Sequence, residues 1–371
     1  MQCTRNRPCF HVPLLIAVNL ALVSSCNGKD TGSAPGAGNG QQDKPAVDQK
    51  APPTAHYSVF PQRHAHLKGM VSEFVFDILE DRQGDFWFAT NHDWIISYDG
   101  DSLTRHTGKD GVGGSAVRSI VEDADGVLWF GTSGGLTRYD GNTFTNIRLG
   151  NTPMDNEIGS LELDDDGILW IGSGSGVHTF DGTRVESFDV PKAEVAEATP
   201  MLSEKGIGEI LQDRKGGFWF VTDGCGITKY DGRRFEFLTD RNGLTDNNVA
   251  SVFEDSKENI WIGTFYGGVS RFDGTSYTNF TKDGIIEGIE TYNFCEDDEG
   301  NVWFSAENHG VYKYDGANFT QYTTEDGLTS DTVQHIYKDK RGRLWFCTWQ
   351  GISMYDGHSI TDVADREPWT R

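Results

Sequence analysis

A chain of 371 residues carries 32 basic and 56 acidic side chains, a formal charge of −24. That balance argues against a polyanion such as DNA as the main partner, since phosphate affinity rests on basic residues. The length admits two or three average domains or one large closed β architecture, so it leaves the fold open. Beyond Cys26 only Cys225, Cys295 and Cys347 remain. Their spacing offers neither a disulfide framework nor a CxxC metal pair, and they are expected to act as small buried hydrophobes.

Residues 1–25 read as a secretory signal. Arg5 and Arg7 precede an apolar stretch from Val12 to Val23, interrupted by Pro13 and Asn19; it is too short to stay as a membrane-spanning helix. Val23-Ser24-Ser25-Cys26 resembles the bacterial lipobox, in which the cysteine is lipidated and becomes the first mature residue. An ordinary signal with Cys26 incidental is the alternative. Asn27 is not the aspartate that retains many lipoproteins in the inner membrane, so the expectation is an exported bacterial lipoprotein, at the outer membrane or facing the periplasm. Residues 26–55, rich in Gly, Pro, Ala, Gln and Asp with no aromatic, cannot bury enough surface to offset chain entropy and read as a flexible tether.

From residue 71 the chain repeats. Trp87, Trp129, Trp170, Trp219, Trp261, Trp303 and Trp345 are separated by 42, 41, 49, 42, 42 and 42 residues. Six residues before each stands an aspartate: Asp81, Asp123, Asp164, Asp213, Asp255, Asp297 and Asp339. Ten or eleven residues after each begins an aromatic-Asp-Gly triplet, at Tyr98, Tyr139, Phe180, Tyr230, Phe272, Tyr314 and Tyr355. Each unit has room for four short strands; in the second these are Val117 to Glu122, Val127 to Thr132, Leu136 to Tyr139 and Thr143 to Ile147, separated by turn residues. The reading is an all-β fold, a single seven-bladed β-propeller of four-stranded antiparallel blades within 56–371. Its blades fall near 71–110, 115–150, 156–190, 206–240, 247–282, 289–324 and 332–363.

The turn aspartate can accept hydrogen bonds from its own turn backbone, and a glycine three residues on supplies a backbone angle other residues resist. Glu258 replaces that glycine in the fifth repeat, so its turn is expected to differ. The tryptophan is expected to fill the wedge between neighbouring blades. These hairpins, with Leu-Trp-Phe-Gly-Thr at 128–132 and Ile-Trp-Ile-Gly-Thr at 260–264, resemble the two-component-regulator propeller repeat over residues 71–363. The resemblance implies a propeller of the kind that forms the periplasmic sensor half of a membrane-spanning kinase and recognises glycans or other small ligands. Sialidase-like and streptogramin-lyase-like propellers carry a similar Asp-x-x-Gly-x-x-Trp hairpin. Blade seven can be completed by Ser359 to Val363 or by Tyr57 to Phe60; Asp356-Gly357 in its usual place favours the former, with the other strand alongside or covering the edge.

In such a ring the one-to-two and three-to-four turns share one face. There Asp123-Ala124-Asp125 and Asp164-Asp165-Asp166 lack the ligand order of a calcium loop and read as turn caps. The two-to-three loops and blade connections share the opposite face, where the repeats diverge, and divergence within a repeat array marks a binding face. On it fall Asn91, His92, Asp93 and Trp94 in blade one, Phe265 and Tyr266 in blade five, Glu307, Asn308 and His309 in blade six, and Trp349 and Gln350 in blade seven. Between blades lie Asn247 and Asn248, Glu290 and Tyr292, and Gln334 and His335. Aromatic rings beside carboxylates, amides and imidazoles suit a hydroxylated ligand such as a sugar; packing between loops is the competing role for any one ring. The longer interval between Trp170 and Trp219 places an insertion near 189–205, either a lid with Glu194 and Glu197 in a short helical turn or an inert loop.

No catalytic residue, metal or cofactor is implied: there is no Gly-x-Ser-x-Gly elbow, His-Glu-x-x-His pair or phosphate-binding glycine loop. His92, His309 and His335 meeting across the channel, as a metal site or an acid and base, stay open as an alternative. The sequence ends at Arg371 without a transmembrane helix or transmitter domain, so a kinase activity is not expected. The expectation is a lipid-anchored ligand-binding or sensing propeller. Its partners would be a saccharide, a partner protein or a sensor kinase, and not nucleic acid. A polysaccharide or streptogramin-type lyase and a protein-interaction scaffold are the alternatives.

Overall fold

The recurring hairpin signals resolve into seven four-stranded antiparallel sheets, each in simple chain order. The computed structural model describes residue 72 and residues 74–196 and 198–363; the signal segment, Cys26, the tether, Tyr57 to Phe60 and Glu197 lie outside the described residues. The innermost strands are Val75–Glu80, Val117–Glu122, Ile158–Leu163, Ile207–Gln212, Val249–Glu254, Phe294–Glu296 and Val333–Lys338. They neighbour one another in that order, and the last meets the first, so the sheets close as blades of a ring. Blade seven is completed by Ile360–Asp362, paired with the preceding strand Gly351–Tyr355.

The second strand of every blade, such as Phe86–Thr90 or Ile260–Thr264, is buried along its whole length, because neighbouring blades cover both of its faces. The core is therefore divided among the blade boundaries, and each boundary receives the tryptophan of the preceding blade. Trp261 packs with Phe294 and Phe304 of blade six, and Trp345 closes the ring against Val75, Ile78, Phe86 and Phe88 of blade one.

A buried indole N–H needs an acceptor, and this fixes the spacing of the repeat. All seven tryptophans donate Nε1–H to the aspartate six residues earlier, at 2.7–2.9 Å. The second oxygen of that carboxylate accepts the turn N–H groups, in blade five from Lys257 and Asn259, both at 2.9 Å. One side chain thus ties the hairpin turn to the interblade core. Glu258 holds the same left-handed conformation as the glycines it replaces, with φ 63°. Its N–H donates to the Asp255 carbonyl at 3.0 Å, as Gly84 does to Asp81 at 2.9 Å. The expected departure of this turn does not occur, because the Asp255 carboxylate fixes the loop whatever residue occupies it.

Cys225, Cys295 and Cys347 are free thiols, the last buried and the others half-buried.

Candidate functional site

The connection from blade five to blade six, residues 280–293, is pinned on both sides. Thr291 N–H donates to the Thr264 carbonyl at 3.1 Å and Gly268 N–H to that of Ile289 at 2.8 Å, on the blade-five loop. On the blade-six loop, Glu307 N–H donates to the Glu290 carbonyl at 2.9 Å. This docking gathers Phe265, Tyr266, Glu290, Tyr292 and Glu307. The Phe265 ring lies 5.8 Å from Tyr292, edge to face, and 6.5 Å from Tyr266. The Tyr292 hydroxyl donates to Glu290, whose carboxyl is within hydrogen-bonding reach of Glu307.

Burial, then the hydrogen bond and charge of Glu290, push the Glu307 carboxyl up to about 7. Burial and the bond to Glu290 raise the Tyr292 hydroxyl well above its ordinary value. Near neutral pH Glu307 is therefore partly protonated and can donate as well as accept. Tyr266 is 58% exposed beside this cluster, and Ile285 and Ile289 on the same connection are 55% and 52% exposed. An apolar and aromatic surface thus adjoins a carboxyl pair. His309 borders it, with Nδ1 2.9 Å from the Glu307 carbonyl and Nε2 3.4 Å from Glu287. Asn308, left-handed at φ 60°, turns toward blade seven and accepts from Thr332 Oγ1 at 3.2 Å.

The other residues of the variable face are placed differently. Trp94 packs its ring over Gly108 and against the blade one–two core. Asp93 holds Ser72 Oγ and Arg105, each at 2.9 Å; His92 and Gln350 are exposed. Trp349 leans on Phe74 at 5.0 Å along the blade seven–one seam. In the insertion, residues 189–196 and 198–205 form no helical turn. The Asp223 carboxylate instead accepts the N–H groups of Met201, Leu202 and Ser203 at 2.8, 2.6 and 3.0 Å, docking the segment onto blade four.

His335 belongs to a second constellation. Ten residues before each repeat tryptophan stand Asp77, Ser119, Ser160, Glu209, Ser251, Asn293 and His335. In six of the seven innermost strands a bulge adjoins this position, and a bulge re-aims the side chain. Asp77 accepts the N–H of Ile120 at 2.8 Å, Ser160 that of Ile210 at 3.0 Å, Glu209 that of Val252 at 2.7 Å and Asn293 that of Ile336 at 2.9 Å, each on the next blade. Across the closing seam His335 Nε2 lies 3.3 Å from Asp77 Oδ1. Burial drives Asp77 up to about 7 and Glu209 up to about 8, against their backbone hydrogen bonds, and drives His335 down to about 4. Of this belt only His335 stands among the site residues expected from sequence; the signal that marks the others is their constant distance from the tryptophan. No group of three or more His, Cys, Asp or Glu among the described residues is placed to hold a metal.

Five segments, residues 69–92, 111–134, 152–175, 243–266 and 327–350, match the family model described as two component regulator propeller. No curated protein matches the chain. Among solved structures the chain is similar to PorZ, a surface component of the type-IX secretion system of Porphyromonas gingivalis. That likeness has 16% identity and a TM-score of 0.60, over 78% of this chain and 47% of that one. A catalytically inactive virginiamycin B lyase from Staphylococcus aureus, solved with quinupristin, is 13% identical at a TM-score of 0.63, over 80% and 97%. The GH74 enzyme of Niastella koreensis is 16% identical at 0.56, over 78% and 53%. The chain spans about half the length of the first of these, and at such identities the likeness is one of fold.

Proposed function

Since the chain belongs to the two-component-regulator propeller family, we propose that it is an extracytoplasmic binding propeller that takes a saccharide on the loops of blades five and six. The observation that carries this reading is the exposed Tyr266 ring beside the Glu290, Tyr292 and Glu307 cluster. A sugar ring can lay its apolar face on the tyrosine while its hydroxyls reach a carboxyl that accepts and one that donates.

The reading is of binding rather than catalysis. Paired-carboxylate glycosidases hold their two groups at least about 5 Å apart, with room for the anomeric centre, whereas Glu290 and Glu307 are within hydrogen-bonding reach. In the proposal Cys26 carries the lipid and residues 26–55 hold the propeller off the membrane surface. A partner protein, a sensor kinase among the candidates, receives the signal.

A glycan array probed with the protein and with Tyr266→Ala, Glu307→Gln and Trp349→Ala tests the site. Loss of signal is expected for Tyr266→Ala, an altered glycan preference for Glu307→Gln and retention for Trp349→Ala, whose ring packs against Phe74. Unchanged binding by Tyr266→Ala would rule out this location.

A further inference from the structure

The site on blades five and six gathers carboxyl and phenol groups, and Lys282, the cationic side chain of the connection, is exposed. The charged and phenolic groups acting on it are Glu290 and Tyr292 from the connection, Glu307 from the blade-six loop and Tyr266 from the blade-five loop. At its margin Glu287 adds a further carboxylate, 82% exposed and 3.4 Å from His309. The carboxyls of Glu290 and Glu307 are brought within reach of one another by the backbone pairing of the two segments that carry them. Beside them the surface is apolar: Tyr266, Ile285 and Ile289 are each more than half exposed.

An anionic sugar placed there would add like charge to a half-buried carboxyl pair, which is unfavourable. A neutral sugar would leave the pair bridged by its proton. A protonated amine can replace that proton, pair with both carboxylates through charge-assisted hydrogen bonds, and leave the remaining ring to stack on the tyrosine. From this arrangement we propose that the saccharide is a cationic one, an amino sugar with a free amine, bound with its ammonium group between Glu290 and Glu307 and its ring on Tyr266. The inference rests on the saccharide reading above and names the charge of its ligand.

The elevated value of Glu307 adds a second readout. At about pH 5.5 the sugar amine already carries its own proton and a carboxyl titrating at about 7 still holds one, so an ammonium that displaces that proton releases close to one proton per site.

The experiment is isothermal calorimetry on the full chain at about pH 5.5, in two buffers of different ionisation heat. The ligands are a glucosamine tetramer, the matching N-acetylglucosamine tetramer and spermidine. Binding of the free-amine tetramer at least about tenfold tighter than the acetylated one, with proton release, is expected. In Glu307→Gln the preference and the proton release should both vanish, while Tyr266→Ala weakens both tetramers alike. Glu290→Gln repeats the test if Glu307→Gln does not fold. Equal affinity for the two tetramers overturns the charge assignment and leaves the saccharide reading standing. Spermidine bound as tightly as the free-amine tetramer overturns the saccharide instead, and silence toward all three ligands overturns both.

Discussion

Replacing Asp255 by alanine isolates the interaction that repeats seven times around the ring. The Asp255 carboxylate is buried and accepts from Trp261 Nε1, from the N–H groups of Lys257 and Asn259, and from Asn259 Nδ2, at 2.8–2.9 Å. Trp261 is fully buried, so its freed indole N–H meets no water, and a buried donor left unpaired costs about 1–3 kcal/mol. The weakened turn adds about 1 kcal/mol, for a total of about 2–4 kcal/mol. Asp273→Ala is the matched comparison, because Asp273 also accepts two turn N–H groups, from Thr275 and Ser276 at 2.9 and 2.8 Å. That turn is exposed, and its freed donors pass to water. Urea unfolding followed by far-ultraviolet circular dichroism should show a much larger drop in midpoint for Asp255→Ala. Adding Trp261→Phe to Asp255→Ala removes the orphaned donor, so the two changes should be less than additive. Equal midpoints for the Asp255 and Asp273 variants, or strict additivity with Trp261→Phe, would refute the reasoning.

Glu209, held up to about 8 by burial, lies above the ordinary glutamate value near ~4.3. Its contribution to stability is complete below that value and is lost as pH rises through 8. Glu209→Gln keeps an acceptor for Val252 N–H, so the fall in urea midpoint between pH 6 and pH 9 should shrink; an unaltered fall would remove Glu209 as its cause. His335 acts in the opposite sense: lowered to about 4, it favours the fold above ~6.5 and loses that contribution as pH falls toward 4. Gly310→Ala would set a methyl 2.0 Å from the Tyr322 carbonyl oxygen at φ 74°, whereas Gly274→Ala at φ 89° meets nothing within 4 Å. Both carry backbone strain of about 1–2 kcal/mol, and thermal melts should show Gly310→Ala costing clearly more.

What the sequence determined by itself is whatever local chemistry decides. An aspartate six residues before a tryptophan closes a hairpin within one blade, and seven copies in fixed phase fix both the strand count and the ring. Even the Glu258 turn obeyed this rule, since the aspartate and not the glycine sets the loop. The variable face could be sorted from the repetitive one for the same reason.

Tertiary structure alone decided which variable residues meet. Trp94 and Trp349 are as aromatic as Tyr266, yet the first packs over Gly108 and the second on Phe74, because neighbouring loops offered those surfaces. Glu290 reaches Glu307 only because the connection is pinned to two loops at once. His335 finds Asp77 because ring closure makes neighbours of the last and first blades. Those pairings depend on interblade packing, which no local spacing encodes.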